Sequence, residues 1–205
     1  MNESLITAKE IPNGFTWTLA SRLGDMLTYA EEMYGPRNKD FTILGIEFCE
    51  SGPRIWYPKS KKNIVIQLSY SAKISETLAL YQLAHECIHL LSPSGGCTAN
   101  VLEEGLAVYF SWWYVEKTLG ETGQSITDSE AYKMAGLLVE KVLKLNPEFF
   151  LEAFAIYPKI WEMTENQIKG LCPELSARDL ALLAMPFNTL QDLLKEDLGI
   201  YNCLY

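Results

Sequence analysis

Histidine occurs twice in this chain of 205 residues, at positions 85 and 89, and Glu86 directly follows the first. The stretch is QLAHECIHLL, residues 82–91. On an α-helix, residues i and i+4 share one face, so both imidazoles project side by side. Two imidazoles held this way can take two corners of a tetrahedral zinc site, at about 2.0–2.1 Å from the ion. Glu86 is rotated by about 100° from His85. It lies near the metal without being a ligand, where it can hold and deprotonate a water that the metal polarises. Neither proline nor glycine interrupts residues 73–91, so nothing local opposes the helix that this H-E-x-x-H pattern requires.

An open zinc site takes a third protein ligand and leaves its fourth position to water or substrate. No third histidine exists, so that ligand is a carboxylate or a thiolate. After the glycine-bearing turn SPSGG (92–96) comes NVLEEGLAVYFSWW (100–113), in which Glu103 and Glu104 open a second helix. A carboxylate from that helix can close the set. Cys97, in the connecting loop, is the alternative, as a thiolate in a closed structural site; that arrangement would leave Glu86 without a task. Asn100 and Ser111 share a helix face with Glu104 and are candidates to orient a ligand. Cys87 points to the other side of the motif helix and reads as a small core residue.

HECIH followed by EEGLAVYF resembles the gluzincin metallopeptidases, in particular the branch of the aminopeptidases and leukotriene A4 hydrolase. The resemblance implies that His85, His89 and Glu104 bind one zinc ion, with Glu103 in the place of the usual Asn and Tyr109 matching an aromatic position. AYKMAGLLVEKVLKLNPEFFLEAFAIY (131–157) is similar to a later segment of that family, and the match implies that Tyr132 stabilises the oxyanion of the tetrahedral intermediate. One such donor in a desolvated site is worth about 2.7–4 kcal/mol. The spacer after His89 is shorter than in the large aminopeptidases, and no G-x-M-E-N segment precedes the motif. Peptidase chemistry is therefore implied more strongly than aminopeptidase specificity.

The elements that must position these residues follow from periodicity and breakers. Residues 16–34 read as a helix with Leu19, Leu23, Leu27 and Ala30 on one face, stopped by Gly35–Pro36. Three β-type runs follow, at 41–48, 53–57 and 63–70. The last, NIVIQLSY, is either an internal strand or an exposed edge to which an extended peptide adds; Gln67 is its polar side chain suited to reading a substrate group. The motif helix spans about 75–91 and the glutamate helix about 98–119, ended by Gly120. Helices at 129–145, 147–156, 159–169, 176–184 and 189–198 complete the chain, with Ser176–Asp179 a capping-box-like start. The order predicts an α+β fold: an N-terminal helix and small mixed sheet packed on the motif helix, then a mostly helical part. The resemblance makes that fold zincin-like. Residues 1–205 form one domain, with an upper part at 1–97 and a lower part at 98–205.

Composition bounds the partners. A net charge of −9 with scattered basic residues argues against a nucleic-acid or membrane-binding face. No apolar run approaches the roughly 18 residues that span a bilayer, and the N-terminus lacks the layout of a secretory signal. Five cysteines without a C-x-x-C pair suit reduced thiols in a cytoplasmic protein. The expected partner is a peptide or protein substrate. The competing reading is a catalytically silent zincin-like binding or regulatory module, in which zinc is a staple or absent; the presence of Glu86 beside the metal counts against it.

Overall fold

A computed structural model of the chain describes residues 5–202, and Cys203 lies outside them. The fold is α+β, helices with a small mixed sheet. The chain packs as two compact units. The first draws on the chain up to Gly96 and on Phe110–Ile126; the second draws on Cys97–Tyr109 and the chain from Thr127 onward.

In the first unit, a short hairpin of β1 (Glu10–Ile11) and β2 (Gly14–Phe15) precedes helix α1 (Leu19–Tyr34). Helix α1 begins later than residue 16 because Thr18 caps it: its Oγ1 accepts from the Ser21 N–H, and Ser21 Oγ accepts in return from the Thr18 N–H. Its buried stripe is Leu19, Leu23, Met26, Ala30 and Tyr34, so Met26 rather than Leu27 is fully buried on that face.

The sheet holds β3 (Thr42–Cys49), β4 (Arg54–Trp56) and β5 (Asn63–Ser69) in the order β3-β5-β4. Strand β5 is parallel to β3 and antiparallel to β4. The run NIVIQLSY is therefore the central strand, and the exposed-edge alternative for it is overturned. Its alternation gives it one buried face. Ile64, Ile66 and Leu68 are fully buried on one face, each such side chain contributing about 1.5–3 kcal/mol. Helix α2 (Glu76–His89) packs against β5, β4 and α1. Every residue from Leu83 to Ile88 is buried, so this is a core helix rather than a surface one.

Helix α3 (Val101–Leu119) is continuous. In the first unit its later residues pack Phe110 edge-on against Tyr34, with ring centroids 6.1 Å apart. The Tyr114 hydroxyl donates to Asp25 Oδ2 at 2.7 Å.

The second unit contains the start of α3 with α4 (Glu130–Leu145), α5 (Phe149–Ile156), α6 (Glu165–Leu171), α7 (Ala177–Ala184) and α8 (Phe187–Asn202). Val101, Ala131, Ala135, Phe187 and Leu190 form a buried apolar cluster there. The single helix expected at 159–169 is instead a 3-10 turn (Ile160–Glu162) followed by α6. Thr164 and Gln167 form a capping box that restarts the helix. Ser176 does cap α7, and its hydroxyl donates to Asp179 Oδ2 at 2.6 Å.

Candidate metal centre

His85, Glu86 and His89 occupy the last turns of α2, with His85 and Glu86 buried and His89 half-buried. Local sequence makes the helix. Ser75 caps it, its Oγ accepting from the Leu78 N–H at 3.2 Å, and Glu76 complements the positive end of the dipole. Buried Gln82, one turn ahead of Glu86, ties α2 to the end of β5. The Ser69 N–H donates to Gln82 Oε1 at 2.9 Å, and Gln82 Nε2 donates to Ser69 Oγ at 2.8 Å. The two imidazoles then face each other through their Nε2 atoms, 3.3 Å apart, with ring planes inclined at 66°.

Glu104 lies in the first turn of α3. Asn100 is not within that helix, as its assignment to the same face supposed, but precedes it as the cap. Its Oδ1 accepts from the Glu103 N–H at 2.9 Å, and its carbonyl oxygen accepts from the Glu104 N–H at 3.2 Å. The helix starts at Val101 because residues 99–101 are stitched antiparallel to 185–187. Val101 N–H donates to Met185 O at 2.9 Å, and Phe187 N–H donates to Ala99 O at 3.0 Å. The next residue, Gly105, lets the backbone of α4 approach more closely than any side chain would allow.

His85, His89 and Glu104 form a group that could hold a metal ion: one ligand atom from each, all within 4.8 Å of one another. Neither Glu103 nor Cys97 belongs to this group. Glu103 is only 2% exposed, and Cys97 is exposed. Two imidazole nitrogens and a carboxylate are a donor set suited to a borderline divalent ion. Cys87 is fully buried on the same helix; burial, reinforced by the Glu31 carboxylate, holds its thiol well above the usual range, so it stays protonated and inert.

Tyr132 is half-buried on α4, its ring against Phe187 with centroids 4.6 Å apart, and packs on the cluster that contains Val101. Gln67 is buried in the sheet with its amide engaged across all three strands. Oε1 accepts from Arg54 Nε at 2.6 Å and Cys49 Sγ at 3.5 Å, and Nε2 donates to Glu47 Oε1 at 2.6 Å. Sequence reasoning passed over Gln82, and it read Asn100 as a helix residue. The Asn100-x-x-Glu103 spacing was the available signal for a cap.

Comparison with protein families, with curated proteins and with solved structures finds no match to this chain.

Proposed function

We propose that this protein is a zinc-dependent metallopeptidase of the gluzincin type, with a zincin-like arrangement of α2 against the sheet. One observation carries the reading: the 3.3 Å separation of His85 Nε2 and His89 Nε2. Bond lengths of about 2.0–2.1 Å and a tetrahedral angle of about 109° require two zinc-bound nitrogens to stand about 3.3–3.4 Å apart.

His85, His89 and Glu104 would hold the ion. When bound, zinc would act as a Lewis acid toward a carbonyl oxygen and make water a better nucleophile near neutral pH. Glu86 accepts the proton from the attacking water and returns it to the leaving amine. Its side chain is buried directly beside His85 on α2, shielded from bulk solvent. Tyr132 donates a hydrogen bond to the oxyanion. With β5 internal, the strand at the sheet edge beside α2 is β4. Its outer backbone edge is the place where an extended peptide would pair.

The test is Glu86→Gln, which keeps size and removes the base. Wild type should cleave members of a broad peptide library, and the variant should retain metal while losing cleavage. Equal cleavage by both would remove Glu86 from the chemistry. Silence from the metal-loaded wild type would leave a binding module.

A further inference from the structure

We propose that Asn100 is the positioning residue for the Glu104 carboxylate, and that asparagine is needed there because the position demands both an acceptor and a donor. The inference rests on the metal reading above.

Asn100 is only 3% exposed, and its side chain is used at both ends. Oδ1 accepts from the Glu103 N–H at 2.9 Å, and Nδ2 donates to the Ile160 carbonyl oxygen at 3.0 Å. The first bond fixes where α3 begins, because the cap's acceptor selects which N–H becomes the third of the helix. The second fixes the cap against the segment at Ile160. The bridge between Asn100 and Pro186 holds the same residue from the backbone.

Helical phase turns by about 100° per residue. Glu104 therefore faces a different direction from Glu103, and its carboxylate, carried in the first turn, keeps its place in the group with His85 and His89 only while the cap holds that turn wound. Other capping residues meet only half of the demand. Serine and aspartate would still accept from the Glu103 N–H. Serine would leave the Ile160 carbonyl without its donor, and aspartate would set a carboxylate oxygen against it.

The experiment measures zinc affinity by chelator competition for wild type, Asn100→Ser, Asn100→Asp, Glu104→Ala and the Asn100→Ser/Glu104→Ala double variant, with apo-protein melting recorded for each. Asn100→Ser, which keeps the capping acceptor, guards against simple unfolding. The expected result is a 10–100-fold loss of zinc affinity in Asn100→Ser and a comparable loss in Asn100→Asp. In the Glu104→Ala background, Asn100→Ser should cause no further loss of affinity, although it still lowers the melting temperature. A merely structural role would give an affinity loss that adds in full to that of Glu104→Ala, and that result overturns the proposal. Unchanged affinity in both single variants also overturns it while leaving the zinc site intact. Failure of wild type to bind zinc at all would instead sink the metal reading on which it rests.

Discussion

A Cβ built on Gly105 would collide with the carbonyl oxygen of Ala135, far closer than real Cβ atoms come to backbone. Helices α3 and α4 therefore touch backbone to backbone immediately after Glu104. Two features of the second unit follow from this contact. The carboxylate is carried on a helix that cannot roll, and Tyr132 sits one turn before Ala135 on the helix that blocks it. Gly105→Ala should force α4 outward, costing about 1–3 kcal/mol. Under the proposed metal reading, zinc occupancy should fall in the same variant, because the helix that carries Glu104 moves with it. Thermal melting and metal analysis check both; a variant as stable as wild type would show that the contact yields freely.

The two adjacent glutamates separate by role. Glu104 belongs to the group with His85 and His89, whereas Glu103 does not. Purified wild type should carry about one zinc per chain. Glu104→Gln should lower zinc affinity at least tenfold, since a neutral amide is a poor ligand for a divalent ion. Glu103→Gln should leave zinc affinity within about twofold and appear instead as a lowered melting temperature, because Glu103 is buried. Isothermal titration with zinc would distinguish them, and the opposite pattern would exchange the two assignments.

What the sequence made legible was whatever short-range physics decides. The i, i+4 spacing of His85 and His89, the β-branched run Ile64–Ile66 and the breakers Gly35 and Gly120 sufficed to place α2, β5 and the ends of α1 and α3. The α+β class followed from the order of elements. What the sequence left open depends on long-range contact. Whether β5 is central or an edge is decided by β3 and β4, which pair with it from both sides. The start of α3 at Val101 rather than near Thr98 is decided by residues 185–187, more than eighty positions away in the chain. The amide of Gln67 looked free to read a substrate because periodicity gives its face but not its neighbours. In the folded chain Arg54, Cys49 and Glu47 all bond to it.

Gln67 joins β3, β5 and β4 through one amide, which predicts a stability role. Gln67→Leu preserves shape but removes both ends of the network, leaving Arg54 and Glu47 to be solvated separately. Unfolding in denaturant should show a loss of about 1–2 kcal/mol. If the proposed peptidase activity is present, KM for a cleaved peptide should change little. A raised KM with undiminished stability would make Gln67 a substrate contact after all.

The contact of Lys141 on α4 with Asp179 on α7 gives the second unit a dependence on acid. Lys141 Nζ lies 2.6 Å from Asp179 Oδ2, and that bond, followed by the one from Ser176, holds the Asp179 carboxyl below its ordinary value of 3.8. A carboxylate whose folded pKa is depressed contributes stability above its unfolded pKa and loses that contribution as pH falls through the folded value. Lys141→Met should therefore cost about 0.5–1 kcal/mol at neutral pH, a modest amount because the lysine is half exposed. The difference from wild type should shrink below about pH 4 as the aspartate protonates in both. Parallel denaturation curves from pH 7 to pH 3 would show the convergence, and a gap that persists to pH 3 would assign the effect to lost packing.

Tyr132 offers the most direct separation of chemistry from structure. Its ring rests on Phe187, a contact that a phenylalanine would keep, so Tyr132→Phe should melt within a few degrees of wild type and bind zinc equally well. The hydroxyl is what the proposed reaction uses. Removing one preorganised donor to an oxyanion lowers turnover about 10²–10³-fold, with binding of the ground state little changed. The expected signature is thus a fall in kcat at nearly constant KM, metal content and stability. If kcat survives the substitution, the oxyanion is stabilised without Tyr132, and the tyrosine is a packing residue of the cluster around Val101 and Phe187.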